Sequence, residues 1–449
     1  MVRLSTMNCA FALGFQLAGA QRTPNAPLQF KDDGTFHISI FSDLHFGERY
    51  NTPRGVGQDA KTVRIMGDLL DYEKPDFVVL NGDLITGDGV PLHNGTKWLD
   101  QILSPMVERN LTWGSTYGNH DHQKNLNSDH MLKKEHTYQG SRTKRMVCSE
   151  TAGTSNYYLP VYRAGCSPTD EDCNPELILW FFDSRGGFQF QKTNSDGSRV
   201  GQANWVDISV VAWFLKENAL LTAKYGKRIP PLAFVHIPTY ASLALQKEHG
   251  RDSIDPKKQP GINDDYELAP QAQGWCADGR NDGSCTYGGQ DVPFMQAITS
   301  TPGLIGVFSG HDHGATWCYK WDRLVSGMAV KGNGVNLCFG QHSGYGGYGN
   351  WIRGARQIKV SKDMLKRAEA HSWVRLESGS IVGDVMLNAT YGKDEYPETP
   401  NDKTYCPTCD YTVVTPHPKM KADASPKEIS HGEWLRNQFW KIGGTQQSM

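Results

Sequence analysis

Along the chain, short apolar runs stop at clusters of Asp, His, Asn and Gly, and several polar stretches between them carry apolar residues at helical spacing. Phe36 to Phe41 alternates and is rich in β-formers, which predicts a strand. Val63, Met66, Leu69 and Leu70 fall on one face of a helix over Thr62 to Tyr72. Phe77 to Leu80 reads as a second, buried strand, Lys97 to Arg109 as a second helix, and Leu111 to Tyr117 as a third strand. This β-α-β-α-β order is that of parallel strands joined by helical crossovers. Leu177 to Phe182, Leu232 to Ile237 and Leu304 to Ser309 continue the series of apolar strands, with helices over Asp207 to Lys224 and Val292 to Thr299. After Val335 the pattern turns strand-rich and Gly-rich, with strands expected at Trp373 to Leu376 and Val385 to Asn388. An α/β domain follows, one sheet with helices packed against a second sheet.

The two ends read differently. Arg3, the apolar stretch from about Ala10 to Leu17, and Ala18-Gly19-Ala20 have the layout of a signal peptide over residues 1–20. No run of about 20 apolar residues predicts a membrane span. Residues 30–390 form the expected catalytic domain. Residues 391–449 read as an irregular extension rich in Pro, Asp, Lys and Thr, with a short docking helix around Trp434, Leu435, Phe439 and Trp440. Export predicts disulfides and N-glycans. Asn94, Asn110 and Asn388 each begin an acceptor triplet. Short separations suggest Cys166/Cys173, Cys276/Cys285 and Cys406/Cys409 as pairs, Cys318 and Cys338 as a bridge between adjacent strands, and Cys148 as the odd cysteine once Cys9 is removed. The expected location is extracellular, with the vacuole or cell wall as alternatives.

Composition excludes some partners. The net charge is −2 and the pI about 6.7 over 449 residues, so there is no excess of Lys and Arg to mark a nucleic-acid surface.

The candidate chemistry sits where the strands end. The first strand runs into Asp43-Leu44-His45, the second into Gly82-Asp83, and the third into Gly118-Asn119-His120-Asp121. Two later strands end in His236 and in Gly310-His311-Asp312-His313. Ligand sites in α/β sheets collect beyond the carboxyl ends of the strands. Taken singly, each motif is an ordinary polar loop; their joint order, each behind a strand, points to metal ligands. In Asp43-x-His45 both side chains fall on one side of an extended segment, and a tight loop could split His311 and His313 between two ions. Asp83 has two oxygens with which to bridge. A set of carboxylate, imidazole and amide donors favours Mn, Fe or Zn over Mg or Ca.

These motifs, with the stretch Ser42 to Glu48, Trp317-Cys318 after His313, and the segments Gly344 to Gly349 and Arg353 to Arg356, resemble the calcineurin-like metallophosphoesterases. The closer resemblance is to plant and fungal phosphoesterases related to the purple acid phosphatases but lacking their large N-terminal domain. The resemblance covers about Phe36 to Asn388 and implies two packed β-sheets flanked by helices, an αββα sandwich. It implies that Asp43, His45 and His313 hold one metal ion, that Asn119, His236 and His311 hold a second, and that Asp83 bridges them. It further implies hydrolysis of a small phosphate ester by a metal-held hydroxide, with His120 as proton donor to the leaving group and Asp121 orienting its ring. Phosphate monoesters are the expected substrates; a phosphodiesterase acting on nucleotides or lipid headgroups with the same site, and a non-catalytic scaffold, are the alternatives. Purple enzymes carry a tyrosine three residues after the aspartate of the second motif, where this chain has Thr86, so no violet colour is expected. The loop Gly340 to Gly354 lacks the Lys-Ser/Thr ending of a P-loop; it is either a glycine-rich turn region or a pocket rim with His342 as a substrate-binding residue. His93, His122 and His130 are expected at the surface, and Arg353 and Arg356 on a solvated or ion-paired face.

Overall fold

The computed structural model of the chain describes residues 26–166, 168–170, 172–276, 283–404 and 406. The expected signal peptide and the expected helix around Trp434 lie outside these residues.

Two mixed sheets carry the fold. In one, the strand order is Ile381–Leu387, Ala370–Leu376, Gly354–Ser361, Thr35–Phe41, Phe77–Asn81, Trp113–Thr116, and the last three run parallel. In the other, the order is Leu28–Gln29, Tyr157–Tyr162, Pro175–Phe182, Pro231–Val235, Gly306–Ser309, Val335–Phe339, Cys318–Trp321, with the four from Pro175–Phe182 to Val335–Phe339 parallel. Alternation along the strands explains the stacking. Phe77 and Val79 join Ile38 and Ile40 in a core shared with Leu179, Phe181, Leu232 and Phe234 of the other sheet. Their neighbours Val78 and Leu80 face the opposite way, into Met66, Leu69, Leu99 and Ile102 of two covering helices. Trp180 and Phe182 likewise pack against Phe214 and Phe294 of helices on the far side of the second sheet. Helix, sheet, sheet, helix is therefore the layer order.

The five strands that end in the motifs do not belong to one sheet. Three lie in the first and two in the second, and packing of the sheets brings their carboxyl ends together. The first helix spans Pro53–Glu73 and so begins nine residues before the periodic pattern. Gly55 and Gly57 obscure it, while Thr52 caps the helix by accepting from Gly55 N at 3.1 Å and Pro53 fits its first turn.

Cys166–Cys173, Cys276–Cys285 and Cys318–Cys338 are disulfides, and Cys318 and Cys338 stand directly opposite on antiparallel strands. Cys148, expected to be unpaired, is disulfide-bonded, as is Cys406; Cys409 lies outside the described residues. Among the described residues no helix is long and apolar enough to cross a membrane.

Candidate metal centre

The backbone at the motif ends is bent into the left-handed region. Asp43, His45, Asp83 and His311 have φ of 58°, 51°, 50° and 76°. This conformation is unfavourable for residues with a side chain and is retained where the surroundings over-determine it, commonly at functional sites. The neighbouring glycines allow the loops to close. A Cβ on Gly82 would stand 2.4 Å from His236 Nδ1, and one on Gly118 would stand 2.3 Å from Asp83 Oδ1.

The resulting cluster is dry and dense. Asp43, His45, Asp83, His236 and His313 are each at most 3% exposed, so the donors are shielded from competing water. Asp43, His45 and His313 form one group of converging ligand atoms, and Asp83, His236 and His311 another. The tight turn thus sends His311 and His313 to different groups. Asp83 Oδ2 lies 3.0 Å from His236 Nε2 and 3.8 Å from His45 Nε2, while Asp83 Oδ1 accepts from His120 N at 2.7 Å.

Hydrogen bonds behind the imidazoles set which nitrogen faces inward. His236 Nδ1 lies 2.9 Å from Asn81 O and His313 Nδ1 2.8 Å from Tyr348 O. A carbonyl only accepts, so both Nδ1 atoms carry a hydrogen, and Nε2 is the atom each ring turns inward. His45 Nδ1 lies 3.1 Å from Thr86 Oγ1, so the residue at the expected tyrosine position orients an imidazole. His45 Nε2 and His313 Nε2 then face one another at 3.1 Å.

The donors fit metal cations. Asn119 Oδ1 and His236 Nε2 are buried with no aligned hydrogen-bond partner, a costly arrangement unless a cation satisfies them. The charges point the same way. Burial alone would lower the pKa of His236, but Asp83 and Asp43 outweigh it and raise it to about 10: the carboxylates demand positive charge nearby. Burial and the positive His236 depress His311 to about 3, and burial with His120 holds His45 well below the usual range, leaving neutral imidazoles suited to coordination.

His120 stands at the mouth, with its side chain 35% exposed, and of the cluster's other histidines only His311 is also partly exposed. Burial works against its charge, but Asp83 and Asp88 raise its pKa to about 9. The carboxylate facing its ring is that of Asp88, 3.9 Å from Nδ1, and not that of Asp121. Asp121 is fully buried and accepts from Leu84 N, Ile85 N and Gly118 N at 2.9–3.2 Å, so it ties two motif loops together. The only sequence signal for Asp88 is its place between two glycines just after Asp83.

Other expectations are also corrected. His342 is no exposed rim residue: it is buried, its ring centroid 3.9 Å from that of His313, because Ser42 and His342 pair at the end of the sheet. Arg353 and Arg356 are fully buried. Arg353 donates to Trp351 O and Gly349 O and so braces the loop that carries Tyr348, while Arg356 donates to Phe339 O, Thr316 O and Ser372 Oγ and ties three segments together. His93 and His130 are exposed as expected. His122 is buried, with Nε2 3.0 Å from Asp183 Oδ1. Burial works against ionising Asp183, but His122 and the amides of Thr154 and Arg185 hold its pKa at about 2. A depressed carboxyl stabilises the fold above its unfolded pKa and loses that contribution as pH falls through the folded value. Between pH 4 and pH 2 the native protein is therefore expected to lose about 2 kcal/mol that Asp183→Asn does not lose. Urea unfolding at the two pH values checks this, and parallel losses in both proteins would refute it.

A profile described as calcineurin-like phosphoesterase matches residues 36–315. The chain is 27% identical over 365 residues to "Probable inactive purple acid phosphatase 28" of Arabidopsis thaliana, covering 76% of this chain and 79% of that one. It is 26% identical over 369 residues to "Phosphatase DCR2" of Saccharomyces cerevisiae, covering 80% of this chain and 56% of that one. A solved dimetal phosphatase from Danio rerio superimposes with a TM-score of 0.44 at 13% identity, covering 79% of this chain and 98% of that one.

Proposed function

We infer, from the premise that this chain belongs to the calcineurin-like phosphoesterase family, that it is a secreted phosphatase hydrolysing small phosphate monoesters at the Asp43–His313 cluster. Membership makes it a metal-dependent hydrolase of the phosphatase type. Asp43, His45 and His313 would hold one ion and Asn119, His236 and His311 the other, with Asp83 shared. Mn, Fe or Zn suits these donors. When bound, such a pair supplies Lewis acidity, lowering the pKa of water and offsetting charge on the phosphoryl group.

The observation that carries the reading is the convergence of six donors, Asp43, His45, Asp83, His236, His311 and His313, from four strand ends, with Asn119 Oδ1 buried and lacking a hydrogen-bond partner. The protein's own residues would do the rest. His120 would donate its proton to the departing alkoxide, and Asp88, 3.9 Å from its Nδ1, would hold its ring toward the leaving group. The cleft in front of His120 has a volume of about 130 Å³, which suits a compact leaving group. The relatives named phosphatases support monoesters over diesters. Export is supported by the disulfides, Cys166–Cys173, Cys276–Cys285 and Cys318–Cys338 among them, and by the exposure of Asn94 and Asn110.

The test pairs an aryl phosphate monoester with an aryl diester after chelation and re-addition of Mn, Fe, Zn or Mg. The expected result is metal-dependent turnover that is faster with the monoester and falls by about 10²-fold in His120→Ala. Faster turnover of the diester would transfer the function to phosphodiesters. No turnover by folded protein with any ion would sink the enzymatic reading and favour a binding scaffold, a role in keeping with the word "inactive" in one relative's name.

A further inference from the structure

One positively charged group beside the centre has no role in the reading above. A small antiparallel hairpin, Phe188–Thr193 with Arg199–Gly201, belongs to neither large sheet. It is fastened to the loop after the third motif: Phe188 N donates to His122 O at 2.8 Å and Gln191 N to Lys124 O at 3.1 Å. Gly186 and Gly187, just ahead of it, lie so close to Asn119 that a Cβ on either would stand within 2.8 Å of that residue. The hairpin is thereby placed as the outer wall of the 130 Å³ cleft, whose lining is Asp88, Asn119, His120, Gln123, Gly187, Phe188 and Arg199.

Arg199 is held there by weak partners. Its guanidinium carbon lies 3.8 Å from the centroid of the Phe188 ring, and its one hydrogen bond, Nη1 to Gln123 Oε1, is 3.3 Å long. Gln123 is itself fixed by donating to Asn119 O at 3.1 Å. Among the described residues no carboxylate lies within 4 Å of the guanidinium, so a half-buried cation with five N–H donors faces the cleft with most of them unused. A flat guanidinium stacked on an aromatic ring is pre-organised for a forked pair of hydrogen bonds to a carboxylate or phosphoryl group. Asp88 lines the same cleft, 3.9 Å from His120 Nδ1; burial opposes its charge, and His120 and then Arg199 hold its carboxyl below the usual range.

We propose that the hairpin wall is a subsite for a second anionic group carried by the leaving portion of the substrate, read by Arg199 over Phe188. The substrate class is then a phosphate ester whose alcohol bears a carboxylate or a further phosphoryl group. This rests on the phosphatase reading of the adjoining centre, and the cleft's volume admits one small anion and not a polymer.

Calorimetric binding of methylphosphonate and of methylenebisphosphonate to the metal-loaded full chain tests it without turnover. Native protein is expected to bind the bisphosphonate about tenfold more tightly, the worth of one charge-assisted contact. Arg199→Ala is expected to collapse that ratio toward one, and Arg199→Lys to restore part of it. An unchanged ratio in Arg199→Ala would mean that chelation by the ions makes the difference and would overturn the subsite. Equal weakening of both ligands would overturn it too, since Arg199 would then serve the first phosphoryl group or the fold. Bisphosphonate binding that is lost in Arg199→Ala, with no methylphosphonate binding by native protein, would keep the subsite and sink the phosphate reading of the centre. Binding of neither would overturn both.

Discussion

Asp83→Asn is expected to lower turnover of an aryl phosphate by at least about 10³-fold and to reduce the bound metal from two ions per chain to one or none. Asp83 appears in two of the three converging groups of ligand atoms, with His45 and His120 in one and with His236 and His311 in the other. It is 2% exposed, and although burial opposes its charge, His236 and His120 hold its carboxyl well below the usual range. Asparagine removes that charge and turns one oxygen into an NH₂ that cannot coordinate. Several kcal/mol of charge stabilisation in the transition state go with the ions, and each 1.36 kcal/mol is tenfold in rate. Elemental analysis of the purified variant beside its kinetics separates the causes. Two ions retained with near-native turnover would remove Asp83 from the shared position.

Glu135→Ala is expected to cost about 4 kcal/mol of stability, in the range reserved for breaking a buried polar network. Glu135 ends the Ser128–Glu135 helix and is fully buried. Its Oε2 accepts from Trp113 Nε1 at 3.1 Å, Ser115 Oγ at 3.0 Å and Thr143 Oγ1 at 2.8 Å, and its Oε1 accepts from Tyr117 OH at 2.8 Å. Burial pushes the carboxyl up, and these donors pull against it. Alanine would leave these donors, and Ser141 Oγ at 3.4 Å, in the core without that acceptor. Glu135→Gln should cost less, since one oxygen remains, and still suffer from an NH₂ turned toward donors. The urea midpoint and slope report the loss; a change below about 1 kcal/mol would mean that the donors find other acceptors. Because Trp113, Ser115 and Tyr117 lead directly into Gly118-Asn119-His120, the variant should also lose activity before it unfolds.

The two sites differ in how visible they are beforehand. Asp83 follows a buried strand, and its motif is legible because strand, glycine and ligand are consecutive in the chain. Glu135 has no such signal. Its helix was missed, its partners come from two other segments, and a glutamate at a helix end is usually solvated. The hairpin bearing Arg199 was missed as well, since Phe188 to Thr193 is mostly polar.

The chain's own order determined the buried strands that end in the motifs, their parallel sense and the six donors that converge. Buried strands write themselves as apolar runs, and residues at a strand's end stay there whatever else packs around them. Tertiary structure alone decided the partners. Asp88 and not Asp121 faces His120, His122 meets Asp183, His342 lies against His313, and Arg353 and Arg356 are buried on carbonyls. Each of these depends on segments distant in sequence, and on whether a polar group finds its hydrogen bonds in protein or in water. That balance is struck only when two sheets close on one another and exclude the solvent.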